Sequence, residues 1–295
     1  MKKLVVVGSS NTDMVVKTDR FPVPGETILG GDFFMFPGGK GANQAVSAAR
    51  LGGNVAFMCA LGDDLFGRQA LKNYENEGID TALVQTTPGA ASGVALITVN
   101  AEGENQIVVA PGTNALLEVS WLEKHFEALQ AADLLLTQLE TPLPSVSFLA
   151  QHFGEKLILN PAPAALLPSA VYQNLYLITP NQTEASLLTG IPVKDLPSAA
   201  DACQILLKKG CQAVILTMGA AGAYYADSQQ TFHIPAPQVH AVDSTAAGDV
   251  FNGALAVALL ENQDIKEAIR FACQAAAFSV QKMGAQASAP YRHQL

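Results

Sequence analysis

Four apolar runs, each ending in a polar residue, constrain the fold of this chain more than any other feature of its sequence. Asp133-Leu-Leu-Leu-Thr-Gln-Leu-Glu140 closes on Glu140, Lys156-Leu-Ile-Leu-Asn160 on Asn160, Leu175-Tyr-Leu-Ile-Thr-Pro-Asn181 on Asn181, and Ala213-Val-Ile-Leu-Thr217 on Thr217. Helical patterns lie between them near 144–153, 164–173, 182–189 and 198–209. A strand buried on both faces reads as an unbroken apolar run, and strands alternating with helices mean a parallel sheet covered on both sides. The expected fold is α/β, with a central parallel sheet and helices on both faces. Ligands of such sheets bind beyond the carboxyl ends of the strands. Glu140, Asn160, Asn181 and Thr217 should therefore line one edge, although Asn160 taken alone reads equally well as the start of a loop.

Two stretches break this rhythm. Residues 12–37 carry Asp13-Met-Val-Val-Lys17, Glu26-Thr-Ile-Leu29 and then Phe33 to Phe36. Residues 92–110 read as a hairpin, Gly93–Val99 and Gln106–Val109 about a turn at Glu102-Gly103. These strands lack helical partners, so we expect a small β-sheet projecting over the carboxyl edge as a lid. The chain of 295 residues otherwise reads as a single α/β domain.

Composition limits the partners. A formal net charge of −9 with no Lys or Arg run argues against nucleic acid and anionic membranes. The apolar run Leu4–Val7 is too short for a signal peptide and no stretch is long enough to span a bilayer, so a cytoplasmic protein is expected. Cys59, Cys203, Cys211 and Cys273 form no C-x-x-C pair and read as buried reduced thiols. The histidines show no H-E-x-x-H spacing. Gly38-Gly-Lys-Gly41 is no P-loop, because Phe34 stands where its first glycine would be and Gly41 where Ser or Thr would follow the lysine. No G-x-G-x-x-G follows the first strand either, which weakens a dinucleotide-dependent reading.

Four motifs carry chemistry. In Asp243-Ser-Thr-Ala-Ala-Gly-Asp249, small residues Ala246, Ala247 and Gly248 run into an apolar helix from Asp249 to about Leu260. Backbone N–H groups at the positive end of a helix make an anion hole, and Gly248 lets a phosphate approach closely. Asp249 beside that hole is positioned to accept a proton from an attacking hydroxyl, and the helix dipole should keep it ionised. In Pro37-Gly-Gly-Lys-Gly-Ala-Asn43, Lys40 and Asn43 offer donors to hydroxyls beside Gly39. In Gly8-Ser-Ser-Asn11-Thr-Asp13, Asn11 and Asp13 share one face if the strand continues. Asn181-Gln-Thr-Glu184 resembles a capping box, whose residues could also orient phosphate-bound water and Mg²⁺.

Together these motifs resemble the ribokinase family of carbohydrate kinases, also called the PfkB family, from Gly8 to Ser288. The resemblance implies ATP-dependent phosphorylation of D-ribose to D-ribose 5-phosphate, with Asp249 as general base. It assigns Asn11, Asp13, Gly39, Lys40, Asn43 and Glu140 to the sugar. It assigns Asn181, Glu184, Thr217, Gly219 and Gly248 to the nucleotide, its phosphates or Mg²⁺. It implies a homodimer formed through the lids and activation by K⁺. For the K⁺ site the sequence offers Asp243 and Thr245 together with a polar late loop holding Ser279, Lys282, Gly284 and Ser288. A sibling kinase acting on deoxyribose, fructose or a nucleoside is the alternative within the family. An inactive sugar-binding regulator is the alternative outside catalysis, and the intact turn before Asp249 argues against it.

Overall fold

The computed structural model describes residues 2–295. Its strands are β1 (Lys3–Val7), β2 (Asn11–Lys17), β3 (Phe33–Gly38), β4 (Asn54–Met58), β5 (Ala60–Gly62), β6 (Gln85–Thr87), β7 (Gly93–Val99), β8 (Asn105–Ala110), β9 (Leu134–Thr137), β10 (Leu157–Leu159), β11 (Leu177–Ile178), β12 (Ala213–Thr217), β13 (Ala223–Asp227) and β14 (Thr231–Ile234). Its helices are α1 (Lys40–Arg50), α2 (Leu65–Asn76), α3 (Val119–Lys124), α4 (Phe126–Ala131), α5 (Leu143–Phe153), α6 (Ser169–Tyr172), α7 (Gln182–Thr189), α8 (Leu196–Lys209), α9 (Ala247–Leu260), α10 (Ile265–Ser279) and α11 (Ala285–Ser288).

The main sheet runs β14-β13-β12-β11-β10-β9-β1-β4. The strands from β12 to β4 pair in parallel, and β13 and β14 add an antiparallel edge that the sequence reading did not foresee. Side chains alternate across each strand. In β1, Leu4 and Val6 enter one core with α1, α9 and α10, while Val5 and Val7 enter another with α5, α7 and α8. Both layers exclude water from β1, which is why the strand reads as a solid apolar run. All four cysteines are free and buried in these layers.

The second sheet runs β3-β2-β7-β8, with β2 and β7 parallel and both outer pairs antiparallel. It is the expected small sheet with one correction: Glu26–Leu29 is not a strand. Pro22, Pro24 and Gly25 before it, and Gly30 and Gly31 after it, favour irregular backbone over ladder pairing, and Leu29 is 98% exposed. The helix expected over 164–173 shrinks to α6, because Pro163 and Pro168 bar regular helix before Ser169. The late segment is not simply a loop, since α10 extends to Ser279 and α11 holds Ser288.

Close packing sets the first turn of α1 against the end of β1. A Cβ at Gly41 would lie 2.6 Å from Gly8 C and 2.6 Å from Ser9 N, both backbone atoms. At Gly248, by contrast, a Cβ would meet nothing within 4 Å. Gly41→Ala is therefore expected to destabilise the fold by about 1–3 kcal/mol, whereas Gly248→Ala should leave the melting temperature within a degree or two of the parent. Thermal unfolding of the two variants checks the contrast.

Candidate active site

The carboxyl edge of the main sheet faces the second sheet, and the motif residues gather there. Helix α9 starts at Ala247, with Ala246 as its N-cap in the left-handed region at φ 59°. An alanine there is strained, and only the surrounding turn holds it. The Ala247 N–H turns back to Ser244 O at 3.2 Å and the Val250 N–H to Ala246 O at 2.9 Å. The free donors at this end are then the N–H groups of Ala246, Gly248 and Asp249, while the turn takes that of Ala247.

Asp249 is 5% exposed and fully engaged. Its Oδ2 accepts from Asn43 Nδ2 at 3.0 Å and its Oδ1 from Gln44 Nε2 at 3.0 Å. Helix α1 supplies both donors from its first turn, and Ser47 Oγ ties the next turn to Val250 O at 3.3 Å. Burial pushes the Asp249 pKa up, while the Lys40 charge and the Asn43 and Gln44 hydrogen bonds oppose that rise. The net direction is upward. Desolvation is the largest influence on this carboxyl. An upward shift suits a group that must accept a proton.

Asn43 Nδ2 gives one of its two N–H donors to Asp249 and keeps the other, while its Oδ1 is buried and has no partner. Asn43 therefore offers an acceptor as well as the donor that the sequence suggests. Gln44 Oε1 accepts from Gln138 Nε2 at 2.6 Å, and Gln138 Oε1 is likewise buried without a partner. Gln44 Nε2 also donates to Asn160 Oδ1 at 3.0 Å, and Asn160 Nδ2 to Thr179 O at 3.1 Å. Asn160 is thus part of the network under Asp249 and not an ordinary loop start.

Lys40 opens α1 beside these groups. Its ammonium makes no hydrogen bond or ion pair within 4.0 Å among the described residues. Burial works against its charge, but Asp249, Glu140, Glu184 and Asp13 outweigh burial and hold its pKa above the ordinary value. Glu140 Oε2 accepts from Ser9 Oγ at 2.5 Å and from the Lys40 N–H at 2.9 Å. It caps α1, because the N-cap Gly39 has no side chain to do so. Asp13 lies on β2 against Gly38, where a Cβ would come within 2.2 Å of its carboxylate. Burial first, then Glu140 and Asp249, push Asp13 up to about 6. Asn11 shares its face, as the alternation requires.

The neighbouring edge is built by strands β11 and β12. Asn181 caps α7 in a reciprocal capping box with Glu184, and Asn181 bridges to Thr217. Both Glu184 oxygens accept from Asn181, Oε2 from the N–H at 2.8 Å and Oε1 from Nδ2 at 2.9 Å. Burial raises the Glu184 pKa, against the Asn181 hydrogen bond and the Lys40 charge. Gly219 follows at φ 55° and faces open space.

Before α9, Asp243 staples two segments. Its Oδ1 accepts from Thr245 N at 2.9 Å and its Oδ2 from Gly284 N at 2.9 Å. The N–H groups of Val242 and Asp243 both reach Val280 O, at 2.7 and 3.1 Å. The late segment does fold back onto this turn. The hydroxyls of Ser279 and Ser288 instead bond their own helix carbonyls, Ala276 O and Ala285 O, each at 2.9 Å, and the Lys282 ammonium sits 4.5 Å from the Phe278 ring centre. A cleft of about 820 Å³ runs beneath the second sheet from Asp13 past Phe36 to Asp243 and Gly284.

The chain matches the pfkB family of carbohydrate kinases over residues 1–292. It is 43% identical over 296 residues to the ribokinase of Haemophilus influenzae, covering 99% of this chain and 97% of that one. It is 38% identical to the deoxyribokinase of Salmonella typhi, covering 97% and 95%. Among solved structures, the ribokinase of Arabidopsis thaliana complexed with ribose and ATP superposes with a TM-score of 0.92 at 30% identity, covering 99% and 96%. A mainly parallel sheet with a second sheet over its carboxyl edge and full-length likeness to sugar kinases lead to one conclusion: this chain belongs to the pfkB family of carbohydrate kinases and is a phosphotransferase that acts on a sugar hydroxyl.

Proposed function

We propose that this kinase converts D-ribose and ATP to D-ribose 5-phosphate and ADP, with Asp249 as the general base. The observation that carries the reading is the pair of buried, unpartnered acceptors, Asn43 Oδ1 and Gln138 Oε1, in the hydrogen-bond network about the Asp249 carboxylate. Buried acceptors are costly without donors, and a polyhydroxyl substrate supplies donors. In the step proposed, the sugar hydroxyl oxygen attacks the γ-phosphorus, its proton passes to Asp249, and the bond to ADP breaks. Asn11, Asp13, Gly39, Lys40, Asn43 and Glu140 hold the sugar. Asn181, Thr217 and Gly219 line the nucleotide edge. The Gly248 and Asp249 N–H groups face the charge that develops on the transferred phosphoryl. Mg²⁺ entering with ATP would neutralise phosphate charge, held through water by Glu184 and Asn181, which suits a small hard cation that keeps most of its waters.

The second sheet acts as a lid over 12–37 and 92–110, and lid packs on lid in a homodimer. Phe33, Met35, Leu96 and Val108 support this reading, since each is about half exposed or more on that sheet. Among the described residues no helix is long and apolar enough to cross a membrane, and we place the enzyme in the cytoplasm.

Asp249→Asn is expected to fold, to bind both substrates and to lose about 10²–10⁴-fold in kcat, or roughly 3–5.5 kcal/mol of barrier. Turnover within a few-fold of the parent would remove Asp249 from the mechanism.

Asp13 gives a pH signature. It accepts hydroxyl donors most strongly as a carboxylate, and its pKa in the free enzyme is pushed up to about 6. As pH falls through that value a proton competes with the sugar, so the KM for ribose should rise below pH 6 and stay level above it. Asp13→Asn should raise the KM for ribose and remove the break, with the KM for ATP little changed. An unbroken ribose profile in the parent enzyme would contradict the assignment.

K⁺ would be held by the Asp243 carboxylate and by oxygens of Thr245, Ser279, Lys282, Gly284 and Ser288. The stapling of the Asp243 turn to Gly284 supports this donor set, and the two serine hydroxyls, which donate to their own helix carbonyls, keep oxygen lone pairs for a cation. Such a cation would fix the loop whose end forms the anion hole. Turnover should rise when K⁺ replaces a large organic cation at constant ionic strength, and Asp243→Ala should abolish the response. Equal rates with and without K⁺ would defeat this part.

A further inference from the structure

Backbone groups have fixed polarity, and one of them sets the polarity of the sugar pocket. Asn114 lies in the short 3₁₀ turn Gly112–Leu116 that leaves the second sheet after β8. It is 2% exposed, and no motif marks it. Its Oδ1 accepts from Ser10 N at 2.9 Å, and its Nδ2 donates to Ser10 O at 3.1 Å. A backbone N–H can only donate and a carbonyl can only accept, so this double contact admits one orientation of the Asn114 amide. The same Nδ2 then reaches Asn11 Oδ1 at 2.7 Å. Asn11 must therefore turn its oxygen towards Asn114 and its NH₂ group away from it. Gly93 leaves the space for the pair, since a Cβ there would lie 2.3 Å from both Asn11 Oδ1 and Asn114 Nδ2.

We infer that Asn114 is a specificity-determining positioning residue, which locks the Asn11 amide so that it presents a hydrogen-bond donor to the sugar beside the Asp13 acceptor. The inference rests on the reading of Asn11 and Asp13 as sugar ligands. It adds the reason for the polarity of that wall. A hydroxyl between the two would accept from Asn11 and donate to Asp13, so both of its hydrogen-bonding capacities are used. A free Asn11 amide could flip and offer two acceptors side by side, which suits a hydroxyl less well. A deoxy sugar would leave the locked donor unpaired, a costly outcome in a closed site.

The test compares Asn114→Ala, Asn11→Ala, the double variant and Gly93→Ala in the full-length enzyme. Ribose and 2-deoxyribose are measured by steady-state kinetics and calorimetry, and thermal unfolding is followed in parallel. Asn11→Ala should raise the KM for ribose by about 10- to 100-fold, with a smaller effect on kcat. Asn114→Ala should do the same in part and narrow the preference for ribose over 2-deoxyribose, while the KM for ATP holds. The double variant should be no worse than Asn11→Ala alone, because Asn114 acts through Asn11. Gly93→Ala pushes the pair apart without removing either amide, and it should reproduce the ribose defect even if Asn114→Ala folds poorly. If Asn114→Ala and Gly93→Ala bind ribose like the parent while Asn11→Ala does not, the inference is overturned. A double variant showing the full product of the two single effects overturns it as well, since Asn114 would then act independently of Asn11. A harmless Asn11→Ala takes down the sugar-site reading and this inference together.

Discussion

The structure depends on keeping one carboxylate, that of Asp249, out of water at the start of α9. Burying an ionised carboxylate costs several kcal/mol, and charge-assisted hydrogen bonds return about 1.5–3 kcal/mol each. Asn43 and Gln44 provide two such bonds from α1, and the Lys40 charge adds to them. The first turn of α1 must therefore sit against the first turn of α9, and β1 must end where α1 begins. The glycine at position 41 allows that approach. The Glu140 carboxylate closes the unit by capping α1 in place of the absent Gly39 side chain. The packing of α1 on α9 and the two hydrogen bonds to the carboxylate answer one requirement.

Much of this was legible in the sequence because it is local. The apolar runs ending in Glu140, Asn160, Asn181 and Thr217 announced the sheet and its carboxyl edge, since burial on both faces leaves a continuous signal. The Asp243–Asp249 turn and the Gly38–Asn43 turn are short, unusual in composition and each followed by a helix, so both motif and context could be read. The proline-rich stretch 161–168 misled only on helix length, where its breakers were given too little weight.

The amide network was not legible. Gln44 meets Asp249 across 205 positions, Gln138 meets Gln44 across 94, and Asn114 meets Asn11 across 103. No spacing rule links such residues, and an isolated Asn or Gln has no signature that separates a network member from a surface polar group. The free acceptor on Asn43 was not legible for the same reason, since only the partners decide which groups of an amide remain unpaired. The antiparallel strands β13 and β14 escaped because a hairpin at the sheet edge carries no helix to complete the βα rhythm.

Lys40 stands among Asp13, Glu140, Glu184 and Asp249, one cation against four acids. A neutral guest enters such a chamber without electrostatic penalty, whereas an anion among these carboxylates needs its charge met by the Lys40 ammonium or by the free N–H groups that open α9. The surplus of negative charge therefore sorts guests by charge before shape is consulted.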